Sequence, residues 1–461
     1  MRILHAIHDF LPRHRAGSEI YAFELARELS RRADVFVLAA EYDPTIPHGT
    51  LRWRSCDGLV VIEVVNNWEF DSFHETYKSE RINAQLQHVL DATCPDVLHV
   101  HNLLNLSMDL PGLARRHGIP TVATLHDFTL VCPSGGQRVH LAEQHVCHEI
   151  DTARCARCFT ESPFYHQMVF GRVAGRSGGF GRAAAIARGL LRRMPGATRL
   201  VQRAVSRSVG HSVSSADIDR RLDAARSVFE SVDLFVAPSA ALAADFERFG
   251  LPTAKLEVSD YGLTPLARLP RPARTSRLRI GFVGTLVWHK GVHVLLEACR
   301  QLPPDRFELK IFGDVDTFPD YTARLRKQAE GLPVQLMGAF DNAHVAAVYA
   351  EIDVLVVPSL WPENSPLVIH EAFMAGVPVV GARQGGIPGL VSHGVSGLLY
   401  DAFSPSDLAA SLRMLIDDPG RVERLAAGAP PVKTVVDDAR EWEARYERVL
   451  RSLRTSAATQ R

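Results

Sequence analysis

Residues 362–373 read PENSPLVIHEAF and place two glutamates, Glu363 and Glu371, eight positions apart with Asn-Ser-Pro between them. The pair alone says little, because so short a pattern recurs by chance. Its surroundings say more. An apolar run, DVLVVPS, ends at Ser359, and a helix is expected from Pro366. Ser365 is the expected N-cap, and proline at the first helical position forfeits no amide partner. The free amides of Leu367 and Val368 would then face the strand end and form an anion site suited to a phosphate. Glu363 precedes this helix and Glu371 lies nearly two turns inside it, so the two carboxylates cannot serve one atom. The division expected is Glu363 on a sugar hydroxyl and Glu371 on a ribose hydroxyl.

A second anion site is expected at RIGFVGTLVWHKGV, where a strand ends at Gly284 and the following loop carries Lys290. A lysine at a strand-to-helix turn reaches a diphosphate in the crevice at the strand ends. The glycines at 281, 284 and 291 do not fit G-x-G-x-x-G, and no G-x-x-x-x-G-K-[ST] occurs, which disfavours a NAD enzyme and a P-loop ATPase. Asp314 and Asp316 form a D-x-D, a metal-holding pattern in other settings, but an acidic loop matches it cheaply. Cys132, Cys147, Cys155 and Cys158 crowd into one stretch of a chain with seven cysteines. Cys155-x-x-Cys158 has zinc-knuckle spacing, and a structural zinc on the four sulfurs, with His145 or His148 as a substitute ligand, is set against unpaired thiols or a redox pair.

The elements that must position these groups are legible as alternating strands and helices. Strands are expected at MRILHAI, DVFVLAA, LVVIEVV, DVLHVH, TVATLH and LFVAPS, then at LRIGFVG, FELKIFG, VQLMG, DVLVVPS, VPVVGA and GLLY. Many are continuous apolar runs, as parallel strands covered on both faces require. The class is therefore α/β with doubly wound sheets. With 461 residues, two domains of roughly 200 residues are expected. The Pro/Arg-rich stretch at 264–277 reads as the linker, and DLFVAPS in the first half echoes DVLVVPS in the second. A C-terminal helix with Trp442, Tyr446, Val449, Leu450 and Leu453 on one stripe is expected to pack back on the first domain.

Hydrophobic content of 46% and charged content of 23% suit a soluble globular protein. Lys+Arg and Asp+Glu balance at 52 each, so no global field points to nucleic acid. The opening residues are too polar for a secretory h-region, and no apolar run is long enough to span a bilayer, so a cytoplasmic place is expected. Arg172–Arg207 holds nine arginines and no acid. It is read either as a solvated insertion or as a surface for anionic lipid on the inner membrane face.

In order along the chain, GTLVWHKGV, FGD, LMGAF, DVLVVPS and PENSPLVIHEAFMAGVPVVGARQGGIPGLVSHGVSGLL resemble the retaining nucleotide-sugar glycosyltransferases of family 4, and Glu363–Glu371 matches their E-x7-E motif. HDFLPRHRAGSEIYAFELARELSRR resembles that family's opening, with Gly17 at the glycine-rich turn and Ser18 where a second glycine is usual. The resemblance implies GT-B architecture, two Rossmann-like domains facing across a cleft: an acceptor-side domain over 1–268 with a basic insertion at about 160–230, a donor domain over 275–435, and a helix over 436–461. It implies sugar transfer to an acceptor hydroxyl, in cell-surface polysaccharide or glycolipid synthesis, without a catalytic metal or other cofactor. The expected partners are a nucleotide diphosphate sugar and an acceptor sugar or lipid-linked glycan. His126, Lys290 and Glu363 are the implied catalytic residues. Gly17, Lys290, Glu363, Asn364, Ser365, Pro366, Leu367 and Glu371 form the implied donor site. Two departures, Thr285 for a usual arginine and Gly389 for a usual glutamate, leave a catalytically inactive GT-B subunit as the alternative, beside a nucleotide-sugar epimerase.

Overall fold

The computed structural model describes residues 1–176, 212–272 and 276–459. The basic segment expected to meet lipid lies outside the described residues from 177 to its end at 207. Among the described residues no helix is long and apolar enough to cross a membrane.

Ten strands precede the linker: β1 (Arg2–Ile7), β2 (Asp34–Glu41), β3 (Leu51–Cys56), β4 (Leu59–Val65), β5 (Val97–Val100), β6 (Thr121–Thr124), β7 (Val139–His140), β8 (His145–Val146), β9 (Leu234–Ala237) and β10 (Leu256–Val258). Six follow it: β11 (Leu278–Val283), β12 (Phe307–Phe312), β13 (Val334–Gly338), β14 (Val354–Val357), β15 (Val379–Ala382) and β16 (Gly397–Tyr400). All twelve expected strands form. The first sheet runs β10-β9-β6-β5-β1-β2-β4-β3, parallel except for β3, and the second runs β13-β12-β11-β14-β15-β16, parallel throughout. The central strands β5, β6, β9, β11, β14 and β15 are buried along their whole length, which is why they read as unbroken apolar runs. The strands that sequence missed are marginal ones. β3 is an antiparallel edge whose residues are half-buried or exposed, β10 is a three-residue strand at the opposite edge, and β7 and β8 form a hairpin of two residues a side.

In each sheet the winding direction reverses once, between β1 and β5 in the first and between β11 and β14 in the second. The loops leaving such a pair diverge to opposite faces and open a crevice at the strand ends. Here the two crevices face each other.

The helix Val435–Thr459 crosses back to the first sheet. Trp442 Nε1 donates to the Tyr21 hydroxyl at 3.0 Å, that hydroxyl donates to Asp438 at 2.8 Å, and the Tyr446 hydroxyl is bonded to His99 Nδ1 at 2.7 Å. Trp442, Tyr446 and Val449 are buried with Ile3, Leu25 and Val37 of the first domain. The stripe ends sooner than its period suggests, for Leu450 is half-buried and Leu453 is 38% exposed.

Candidate active site

The two crevices join in a cleft with an empty volume of about 1330 Å³. From the first domain come His8, Gly17, Glu19, His126 and Asp127; from the second come Thr285, Lys290, Ser359, Trp361, Glu363 and the run Asn364–Val368.

The second-domain wall is built at the β11/β14 switch point. Lys290 Nζ lies 2.6 Å from Glu363 Oε1 and 5.2 Å from the centre of the Trp361 ring. The Ser359 hydroxyl donates to the same carboxylate oxygen at 2.5 Å. Glu363 is 5% exposed. Burial opposes its ionisation, but Lys290 and Ser359 outweigh burial and hold its carboxyl below the ordinary range. The lysine and first glutamate singled out from sequence are therefore partners of each other.

The helix start differs from expectation. The helix is Leu367–Met374 with Pro366 at its N-cap and no side-chain cap. Ser365 is drawn elsewhere: its hydroxyl donates to Asp260 at 2.6 Å and lies 2.9 Å from His370 Nε2. Leu367 and Val368, whose amides open the helix, do line the cleft. Asn364 Nδ2 donates to the backbone oxygen of His126, so Asn364 and Ser365 both tie the second domain to the first. Gly17 lies opposite: a Cβ there would stand 3.3 Å from Leu367 Cδ1.

His126 lines the cleft, yet both its ring nitrogens are engaged. Nδ1 is bonded to the Tyr261 hydroxyl at 2.9 Å and Nε2 to His101 Nδ1 at 3.0 Å. His101 Nε2 continues to His5 Nδ1 at 2.9 Å. Burial pushes His126 and His5 down to about 3, so this run of rings is neutral. Glu371 stands apart. It lines an adjoining recess with Tyr21, Glu24 and Asn342, takes a hydrogen bond from the Tyr349 hydroxyl at 2.9 Å, and has its carboxyl pushed up by burial.

Comparison with known proteins fits this architecture. Residues 15–168 match the family described as Glycosyltransferase Family 4, and residues 277–418 match that described as Glycosyl transferases group 1. The chain belongs to the family 4 glycosyltransferases, of GT-B architecture. A putative colanic acid biosynthesis glycosyltransferase, WcaL of Escherichia coli, is 32% identical over 41% of this chain and 48% of its own length. D-inositol 3-phosphate glycosyltransferase of Corynebacterium glutamicum is 37% identical over 30% of this chain and 35% of its own. The sulfoquinovosyl transferase SQD2 of Arabidopsis thaliana is 30% identical over 42% and 39%. The chain thus spans about half or less of the curated relatives it matches. At the level of fold, sucrose-phosphate synthase of Thermosynechococcus elongatus superposes with a TM-score of 0.62 at 15% identity, covering 99% of both chains. The Anabaena protein HepE in complex with UDP superposes at 0.60 and 17% identity, covering 100% of both.

Lys290 is the only lysine or arginine among the described residues lining the cleft, and Thr285, the first departure from the family pattern, lines it without a charge. Gly389, the second departure, is exposed, and a Cβ there would meet nothing. Asp314 and Asp316 lie outside the cleft, where Asp314 accepts from the amide of Asp316 and the hydroxyl of Thr317. Sequence reasoning missed Glu19, Asp127, Tyr261 and Trp361. Asp127 left a signal, as an acid directly after His126 at the end of an apolar strand. Tyr261 left none, because it meets His126 only across the fold.

Proposed function

We propose that this cleft moves a sugar from a nucleotide diphosphate sugar to an acceptor hydroxyl with retention at the anomeric carbon. The observation that carries the reading is the placing of Lys290, with the first turn of the helix Leu367–Met374, at the β11/β14 switch point. In the reaction the C1–O bond to the diphosphate breaks, a bond from C1 to the acceptor oxygen forms, and the acceptor's hydroxyl proton leaves with the nucleoside diphosphate. Negative charge grows on the leaving diphosphate, and an ammonium and helix amides aimed there stabilise it. The second domain holds the donor, with Glu363 and Glu371 near sugar and ribose, and the first domain receives the acceptor, beside His126. HepE crystallised with UDP and with UDP-glucose, and starch synthase IV of Arabidopsis thaliana with ADP, which supports the donor class. The names of WcaL and SQD2 support a polysaccharide or glycolipid acceptor.

A thermal-shift screen with UDP, GDP, ADP and dTDP tests the donor site. One of these at about 100 times its dissociation constant should stabilise the chain by about 2.7 kcal/mol. If none shifts the melting temperature at millimolar concentration, the reading fails. Binding without turnover would instead favour the inactive-subunit reading that Thr285 suggests. Turnover by the proposed route is unchanged when magnesium or manganese is omitted. Dependence on either ion would point to His8, Asp9 and Glu19, whose ligand atoms lie within 4.8 Å of one another.

A further inference from the structure

Four thiols outside the catalytic machinery come from three separate pieces of chain. Cys132 follows β6, Cys147 follows β8, and Cys155 and Cys158 sit three apart on the helix Thr152–Glu161. Positions i and i+3 share a helix face, so this pair is presented by a helix and not by the knuckle turn its spacing suggested. All four line one cavity together with Arg138. The chain records no disulfide among them. His145 is not a member, because its Nε2 is bonded to Arg154 at 2.9 Å.

Two buried guanidiniums stand around these thiols. Arg138 is 4% exposed and lies over the rings of Phe128 and Phe249. Its nearest carboxylate, Asp245, is 3.6 Å away and shared with Arg248, and its Nη2 is buried with no partner. Arg221 is 5% exposed and donates to the backbone oxygens of Leu130 and Thr129. Its guanidinium lies 5.9 Å from the centre of the Tyr77 ring, near the thiols of Cys132 and Cys155. A buried charge is costly unless paired. Four neutral thiols offset neither arginine, whereas metal-bound thiolates would.

We propose that Cys132, Cys147, Cys155 and Cys158 form a structural tetrathiolate site for zinc, with Arg138 and Arg221 as its buried counter-charges. On binding, four thiols release four protons to solvent and four zinc–sulfur bonds form. The site then carries two negative charges, the sum of one divalent ion and four thiolates, which the two guanidiniums offset. Four protein ligands leave no open position, so the role is structural. Among the described residues no three of the sulfurs lie within 4.8 Å of one another. Bonds of about 2.3 Å need tetrahedral sulfurs about 3.8 Å apart, so zinc binding would require the thiols to stand closer together than they do here.

The site would brace one wall of the cleft. Cys132 and Arg138 bracket the loop that carries Gly135 and Gln137 into the cleft. Gly136 accepts from the amide of Phe128 at 2.9 Å, and a Cβ on it would come 2.4 Å from Thr129 Oγ1, so the loop is folded tightly back on the His126–Thr129 segment. Val146, one residue before Cys147, packs with Val294 and Leu360 of the second domain.

The test is metal analysis of the full chain purified without chelator. About one zinc per chain is expected. Replacement by cobalt should give the visible ligand-field and near-ultraviolet thiolate charge-transfer bands of tetrahedral sulfur coordination. Cys155→Ser and Cys158→Ser should lose the metal, whereas Cys94→Ser, at an exposed cysteine away from the cluster, should keep it. Should the serine variants not fold, the cobalt spectrum of the unmutated chain still decides. Metal-free protein that takes up no cobalt, a Cys155–Cys158 disulfide in mass spectra, or bound iron with a sulfide chromophore would each overturn the assignment.

Discussion

Lys290 and Glu363 neutralise each other across 2.6 Å, and a diphosphate would compete for the same ammonium. Two consequences follow from this one contact. Lys290→Ala should lower turnover by about 10²-fold or more, because it removes charge aimed at a leaving group whose own charge grows in the transition state. It should also destabilise the chain by about 1–3 kcal/mol, since Glu363 is left buried without its cation. The double variant Lys290→Ala/Glu363→Gln should recover most of that stability. Denaturant midpoints in a double-mutant cycle measure the coupling, and additive effects would mean the two do not act as a pair. For His126, whose ring is held by Tyr261 and His101, alanine should lower kcat while leaving nucleotide affinity nearly unchanged. Calorimetric titration with the nucleotide, set beside kcat, checks this. Lost affinity with intact kcat would put His126 on the wrong part of the donor.

At the scale of elements, neighbouring strands act together. Parallel strands β1, β5 and β6 bring His5, His99, His101 and His126 into contact. All four are shifted below the ordinary histidine value of 6.5, chiefly by burial, with His5 and His126 at about 3. The folded chain keeps them neutral while the unfolded chain protonates them near 6.5. Their contribution to stability is therefore complete above pH 6.5 and is lost as pH falls from there towards 3. Each such histidine contributes a slope of about 1.4 kcal/mol per pH unit in that window. Melting temperature should fall steeply between pH 7 and 5; a flat profile would mean the rings already carry charge in the fold. The strand-end echo shows how one motif serves two ends. After β9, Ser239 caps the helix Ala240–Arg248 by accepting from the Leu242 amide at 3.3 Å. After β14, the equivalent Ser359 turns its hydroxyl to Glu363 instead, because the loop Leu360–Ser365 separates it from the next helix.

At the scale of the molecule, the helix Val435–Thr459 fastens the end of the chain to its beginning. Trp442 is 1% exposed, and its indole reaches Tyr21 on the helix that starts at Gly17. Trp442→Ala should cost about 3–5 kcal/mol, read from denaturant midpoints, because it opens a large cavity and strands the Tyr21 hydroxyl network. A cost below about 1 kcal/mol would show that the helix docks loosely.

The sequence by itself determined the α/β class, all twelve main strands and the return of the last helix; Gly17, His126, Lys290 and Glu363 were expected together from the family resemblance, and they line one cleft. These depend on local signals: apolar runs that must be covered on both faces, and motif spacing at strand ends. Tertiary structure alone decided the partners. It paired Lys290 with Glu363, gave Ser365 to Asp260 and His370 and not to a helix cap, set Glu371 in a neighbouring recess, and closed both ring nitrogens of His126 with Tyr261 and His101. Such contacts join residues up to 135 positions apart. Nothing in local periodicity encodes them, because they form only when loops distant in sequence meet, within one domain for Lys290–Glu363 and His126–Tyr261 and across the two for Ser365–Asp260.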